Sequence, residues 1–159
     1  MTLNDKVFLI TGAGSGLGAA VADMAVNAGS RVVLLDINTD AGDAIAARMG
    51  ASAMFMRADV TSETDGVAAV ETALATHGRI DVLVNCAGIA PGEKILGRKG
   101  PHGLDSFARA VTINLVGTFN MLRLAAKAME KNAAGRDGER GLIVAEQPRY
   151  NQRSRRPQA

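Results

Sequence analysis

One stretch near the N-terminus, residues 7–36, constrains the fold more than any other part of the chain. It opens with four apolar residues, 7–10, which is typical of a buried strand. A turn with alternating glycines follows, and then apolar residues recur at the spacing of one helix face. A second apolar run, residues 32–35, ends in Asp36. The glycines of the turn are Gly12, Gly14, Gly16 and Gly18.

The order strand, glycine turn, helix, strand and acid predicts a site for a dinucleotide. Glycines let the backbone approach a pyrophosphate, and the helix N-terminus offers free N–H groups and the positive end of its dipole. Asp36 can accept hydrogen bonds from both hydroxyls of an adenosine ribose, although a surface acid at a strand end is the alternative reading. Because its charge opposes a 2′-phosphate and no Lys or Arg lies in the turn, we expect NAD rather than NADP.

Strands and helices alternate through the rest of the chain. A loop with several Gly and Pro residues spans 89–103, and a helical pattern with an apolar stripe spans 104–131. Thr39 or Asp40 is expected to cap the second helix, and Ser62 the third, with Asp65 at its third position. The alternation predicts an α/β fold with a Rossmann-type doubly wound parallel sheet, incomplete at about five strands. The three further strands are predicted at residues 53–58, 80–86 and 142–144.

The basic character of the chain is confined to its last residues. Residues 145–159 contain four arginines and one glutamate, a net charge of +3, so the other 144 residues carry −1 of the total of +2. That segment has no Val, Ile, Leu, Met or Phe, so we expect a basic, disordered tail after a partial NAD-binding domain at 1–144. A nearly neutral domain makes nucleic acid an unlikely partner, although the tail could attract it without specificity.

Four further residues are candidates for a site. Asp59 follows the third strand and is either a turn residue or an acceptor for the adenine amino group, with Val60 offering backbone contacts. Cys86 ends a buried strand and, with no partner for a thiolate in view, is expected to be a small buried hydrophobe. Asn114 lies on the apolar side of the long helix, where it either joins helix to sheet or orders a water or lysine at an active site.

Several kinds of site are not indicated. No cluster of His, Cys and acidic residues has the spacing of metal ligands, so no metal is predicted. No apolar run approaches the roughly 18 residues of a membrane span. The first residues show no basic and apolar leader, so we expect a cytoplasmic protein with no membrane partner.

Several motifs resemble the short-chain dehydrogenase/reductase family, and within it the type-2 3-hydroxyacyl-CoA dehydrogenases. They are TGAGSGLG with Asp36, ADV at 58–60, NCAGIA at 85–90 and INLVGTFN at 113–120. The resemblance covers residues 5–144. It implies that Ser15, Leu17, Asp36, Asp59, Val60 and the carbonyl of Cys86 contact NAD, and that Asn114 helps to hold a catalytic lysine through water.

The chain departs from the family pattern after residue 144. The family carries a Ser and then a Tyr-x-x-x-Lys motif, in which Tyr is the acid/base. Here Tyr150 is the only tyrosine, and Ser154 stands where Lys is required. We therefore expect no turnover by the chain alone, an uncovered stripe on the long helix and an exposed fifth strand. A shift of reading frame after codon 144 is one hypothesis for the tail.

Three functional interpretations stay open on the sequence. The first is the NAD-binding part of an oxidoreductase whose small-molecule substrate is a secondary alcohol such as a 3-hydroxyacyl-CoA, with a homo-oligomer as one possible assembly. The second is a non-catalytic Rossmann module that binds a nucleotide or a protein partner through its exposed helix stripe. The third is nucleic-acid binding through the arginines of the tail.

Overall fold

A single parallel sheet organises the computed structural model, which describes residues 2–98 and 100–146. Its five strands run in the order β3-β2-β1-β4-β7, and every neighbouring pair is parallel. This confirms the predicted α/β fold with an incomplete Rossmann-type sheet. The strands are β1 (Val7–Thr11), β2 (Arg31–Asp36), β3 (Ala53–Arg57), β4 (Val82–Asn85) and β7 (Leu142–Ala145).

Five α-helices connect or follow these strands. They are α1 (Gly16–Asn27), α2 (Thr39–Met49), α3 (Glu63–His77), α4 (Leu104–Val111) and α5 (Thr118–Met129), with one short 3₁₀ turn at Gly50–Ser52. The predicted single helix at 104–131 is instead two α-helices joined by a π-helical segment, Thr112–Gly117. The predicted loop at 89–103 contains a small antiparallel hairpin, β5 (Leu96–Gly97) with β6 (Gly100–Pro101).

The helices form one layer on each face of the sheet. Alternate residues of β1 serve the two layers, because Phe8 and Ile10 join one apolar cluster while Leu9 joins the other. The Phe8 cluster contains the buried alanines Ala22 and Ala25 of α1, whose small side chains let the helix lie close to the sheet. The Leu9 cluster contains residues of α3 and α5.

The N-cap residues of α2 and α3 can be compared directly with the predicted ones. Thr39 and Asp40 were the wrong cap residues for α2, since Asn38 is the N-cap and its side chain accepts the N–H of Ala41 at 3.1 Å. Ser62 caps α3 as predicted and accepts the N–H of Asp65 at 3.2 Å. An Asn side chain can accept from the first free N–H groups of a helix as well as a Ser or Thr hydroxyl can. Which residue becomes the N-cap therefore depends on where the backbone enters the helix.

Apolar side chains remain exposed on the edge strand β7 and on the long helical segment. β7 is an edge strand, with Leu142 48% and Val144 38% exposed. On the long helical segment, Phe107, Leu115 and Phe119 are also exposed, which agrees with the expected uncovered stripe. The strand runs one residue beyond the predicted end at 144, to Ala145. The remaining residues of the predicted disordered tail, from 147 onward, lie outside the described residues.

Within residues 2–98 and 100–146, no helix combines the length and the apolar character that crossing a membrane requires.

Candidate dinucleotide-binding site

A cavity of about 610 Å³ lies where the carboxyl ends of β1 to β4 meet. The crevice outside the carboxyl ends of the strands is where open parallel sheets bind ligands. Eight of the nine residues predicted for the site line this cavity, and Asn114 is not among the lining residues. The eight are Gly12, Ser15, Gly16, Leu17, Asp36, Asp59, Val60 and Cys86.

Gly12 brings the first turn against the segment that follows β4. Its φ of +65° is in the left-handed region, and a Cβ on it would lie 2.7 Å from the backbone nitrogen of Ala87. No side chain fits there without moving the backbone. The glycine therefore lets two loops of the cavity wall touch directly.

Gly14 and Asp36 connect the glycine turn to the end of β2. The N–H of Gly14 donates to Oδ2 of Asp36 at 2.8 Å, and a Cβ on Gly14 would lie 2.9 Å from the Asp36 carboxyl carbon. The other oxygen, Oδ1, accepts the N–H of Asn38 at 2.9 Å. Asp36 is thus fixed in position at the cavity, with lone pairs left on both oxygens for further donors.

The N-terminus of α1 opens onto the same space. Ser15, the N-cap, has extended backbone, and its hydroxyl makes no capping hydrogen bond. The first turn of α1 carries no acidic residue. The free N–H groups and the positive end of the helix dipole are therefore available for an anion such as a diphosphate.

Asp59 is held by a tight turn beside the cavity. Its Oδ1 accepts both the N–H of Thr61 at 2.9 Å and the hydroxyl of Thr61 at 2.7 Å. Its own N–H donates to Asp65 at 2.9 Å, and this bond, with a second from the Ser62 hydroxyl, lowers the pKa of the Asp65 carboxyl. The capping residues of α3 thus also orient the turn that presents Asp59.

Thr11 fixes the segment after β4, although the sequence indicated it only as a strand end. Its fully buried hydroxyl accepts the N–H groups of Cys86 and Ala87, both at 3.2 Å. Burial raises the pKa of the Cys86 thiol, and the charge of Glu146 raises it further. The thiol is protonated at neutral pH, which does not suit a nucleophile, and the side chain is half-buried, whereas a buried hydrophobe was expected.

Asn114 lies in the π-helical segment and bonds the backbone of Ile89 twice. Its Oδ1 accepts the N–H of Ile89, and its Nδ2 donates to the carbonyl of Ile89, both at 2.8 Å. Of the two roles open for this amide, these contacts match the structural one, although it joins the helix to the loop after β4. Its predicted catalytic role stays a prediction. π-helical turns are frequent at functional sites.

Sequence reasoning missed several residues of the cavity wall. Ile37 is 61% exposed and lines the cavity beside Asp36. Arg109, Thr112 and Ile113 enter from the helical segment across the sheet. Their spacing of three and four residues places them on one helix face, which was a visible signal, but only the tertiary position of the helix turns that face towards the cavity.

The charges around the cavity are few. Among its described lining residues, Asp36 and Asp59 are negative and Arg109 is positive. No group of three or more His, Cys, Asp or Glu residues that could hold a metal ion occurs within the described part of the chain. The chemistry on offer is therefore backbone N–H groups for an anion, carboxylates for hydroxyl or amino donors, and apolar walls.

Comparison with known proteins agrees with this geometry. The family model for short chain dehydrogenase matches residues 6–145. The chain is 46% identical over 140 residues to 3-hydroxyacyl-CoA dehydrogenase type-2 of Bos taurus, covering 87% of this chain and 54% of that protein. It is 42% identical to the Drosophila melanogaster protein of the same name, covering 89% and 56%. A mitochondrial borneol dehydrogenase of Lavandula x intermedia is 40% identical, covering 84% and 50%. The chain spans about half the length of the relatives it matches.

Proposed function

The chain belongs to the short-chain dehydrogenase family, and we propose that it is the NAD-binding part of an oxidoreductase of that family. The observation that carries the proposal is the convergence of the glycine turn, Asp36 and the Asp59 turn on one cavity. Three independent strands supply these groups, and each group suits a different part of one dinucleotide.

The residues present fit NAD in several respects. The Gly12–Gly18 turn and the N-terminus of α1 would hold the diphosphate, with Ser15 and Leu17 alongside. Asp36 would accept the hydroxyls of the adenosine ribose, and its charge disfavours a 2′-phosphate. Asp59 and Val60 would bind the adenine, and the carbonyl of Cys86 would lie near the second ribose. NAD, when bound, supplies the hydride acceptor.

The substrate proposal rests on the relatives. Five of them carry the name 3-hydroxyacyl-CoA dehydrogenase type-2, so we propose a secondary alcohol of the 3-hydroxyacyl-CoA class for the enzyme to which this region corresponds. The family's Tyr-x-x-x-Lys spacing is not met here, since Tyr150 is followed by Ser154. We therefore propose that the 159-residue chain binds NAD without oxidising the alcohol. Formation of NADH from 3-hydroxybutyryl-CoA by the purified chain would contradict that.

Calorimetric titration with NAD and NADP tests the cofactor assignment. We expect the chain to bind NAD at least about tenfold more tightly than NADP, because Asp36 opposes the extra phosphate. Asp36→Ala should weaken NAD binding by about tenfold or more, since hydrogen bonds to a charged group contribute about 1.5–3 kcal/mol. Asp43→Asn removes an exposed acid outside the cavity lining and serves as the matched control.

Equal affinity of the unmodified chain for the two dinucleotides would overturn the role of Asp36. Failure of NAD to bind at all, with the thermal unfolding transition of the chain intact, would overturn the proposed function itself.

A second candidate function is a non-catalytic module that uses the exposed stripe of α4 and α5 to bind a protein, with a second copy of this chain as the simplest partner. The exposed Phe107, Leu115 and Phe119 favour this interpretation. Light scattering coupled to gel filtration distinguishes the cases, because a monomer at all concentrations argues against self-association through the stripe.

A further inference from the structure

Arg109 is the residue at the cavity with no role in the proposed function so far. It is the one positively charged side chain among the described lining residues, which also include two carboxylates, Asp36 and Asp59. Its inclusion in the wall is a tertiary effect, because α4 follows β4 and reaches the cavity over the face of the sheet opposite α1.

The helical segment that carries Arg109 also contacts Val60, the residue after Asp59. Gly117 lies against Val60 so closely that a Cβ on it would be 2.5 Å from Cγ2 of Val60. Arg109 and Ile113, eight and four residues before Gly117, line the same cavity as Val60. The same helical segment therefore contacts Val60 and supplies Arg109 to the cavity wall.

The side chain of Arg109 is free to meet a ligand. Within the described residues, its guanidinium forms no ion pair of 4.0 Å or less and no hydrogen bond. Arg123, further along the same helical segment, contrasts with it. That guanidinium is paired with Glu63 at 2.7 Å and donates to Asn120 at 2.9 Å.

The part of the proposed ligand assigned to Asp59 and Val60, the adenine, is a flat aromatic base. A planar guanidinium stacks on such a surface, and the attraction grows as the pair is shielded from water. Ile37, exposed at the end of β2, offers an apolar wall for the other face of the base. We propose that Arg109 stacks on the adenine of the dinucleotide and is a recognition residue for that end of the ligand.

This inference rests on the proposed NAD site, and calorimetry with NAD and ADP-ribose tests it. Arg109→Met should weaken both ligands by the same factor, about three- to tenfold, because both carry the adenine. Arg123→Met, an exposed arginine of the same segment outside the cavity lining, should change neither affinity. The loss should persist at 500 mM NaCl, where attraction between separated exposed charges is screened.

Three results would overturn the stacking role. They are unchanged binding by Arg109→Met, a loss that disappears at 500 mM NaCl, and full retention of affinity by Arg109→Lys, which keeps the charge without the plane. Each of these leaves the NAD site standing if Asp36→Ala still weakens NAD binding by about tenfold or more. Absence of NAD binding to the unmodified chain is instead a failure of the proposed function.

Discussion

Two edges of the same sheet differ in how completely their polar and apolar groups contact other parts of the chain. At the carboxyl ends of β1 to β3, backbone N–H groups and side chains hold one another, as in the bond from Gly14 to Asp36 and the turn around Asp59. At the lateral edge, β7 leaves Leu142 and Val144 exposed, and the helical segment beside it exposes Phe119. The cradle, meaning the cavity wall made by the glycine turn, Asp36 and the Asp59 turn, is built from contacts within this chain. The apolar edge has no partner within the described residues.

The contrast follows from where each region finds its contacts. The cradle is closed by hydrogen bonds between residues up to 76 positions apart, from the end of β1 to the loop after β4. The edge is open because β4 is the only strand beside β7 in the described part of the chain, and proteins usually cover or charge such an edge. We therefore expect NAD binding and the covering of this edge to be separable properties, each of which can be altered without the other.

The largest effect is expected where two loops of the cradle touch. Gly12→Ala should destabilise the fold by about 3 kcal/mol, because the new Cβ meets the Ala87 backbone and the φ is unfavourable. Gly16→Ala is the matched control. Its φ of +52° is also positive, but no atom lies within 4 Å of the added Cβ, so it should cost only about 1 kcal/mol. Urea unfolding measures both, and equal losses would show that the contact with Ala87 is not limiting.

The next largest effect on stability is expected at Asn114, which links the cradle to the long helical segment. Asn114→Asp keeps the acceptor for the Ile89 N–H but sets a carboxylate oxygen against the Ile89 carbonyl. We expect a loss of about 2 kcal/mol in the free energy of unfolding, with faster amide exchange at Ile89. Asn114→Ala should cost less, since it removes the bonds without adding repulsion. If the two variants have the same stability, the donor to Ile89 contributes little.

Charged residues on the exposed stripe should change self-association of the chain and should not change its affinity for NAD. The double substitution Leu115→Glu and Phe119→Glu should lower the mass of any oligomer measured by light scattering. The two carboxylates replace exposed apolar side chains, so two copies of the chain should no longer associate through this surface. NAD affinity should change by less than about twofold, since neither side chain lines the cavity. A monomer before and after the substitutions would contradict self-association through this surface. A large loss of NAD affinity would contradict the separation of the two regions.

The smallest effect concerns the thiol inside the cradle. Because burial raises the pKa of Cys86, its thiolate is scarcer at pH 7 than that of a free thiol with a pKa of about 8.5. Alkylation by iodoacetamide should therefore be slow at pH 7 and increase as the pH rises beyond that ordinary range. Saturating NAD should slow it further, by a few fold, if the ligand occupies the cavity that Cys86 lines. Reaction at pH 7 as fast as that of a free thiol would show that the pKa is not raised.

The parts of the molecule that the sequence predicted well are local. The glycine turn, Asp36 and the Ser62 cap are read from spacings of a few residues, and the structure brings the predicted cavity residues together. The π-helical segment was not predictable, because it coincides with hydrogen bonds from Asn114 to a residue 25 positions earlier. Arg109 and Ile37 were missed since their place in the cavity depends on how the helix crosses the sheet.

The apolar stripe on the long helix shows what the periodicity of the sequence could not predict. Its period predicted a helix, and the uncovered surface followed from comparing the chain with the family pattern. Period alone could not tell which apolar residues pack. Met121 and Ala125 are fully buried, whereas Leu115 and Phe119 face outward. Only the position of α3 and the sheet decides between the two faces.

Hydrogen exchange measured with and without saturating NAD tests the central claim most directly, because it reports on both edges in one experiment. The account predicts slower exchange at residues 12–18, 36–38, 59–62 and 86–89, with no change at residues 142–146. Unchanged exchange at the glycine turn and at residues 36–38, or protection confined to β7, would contradict it.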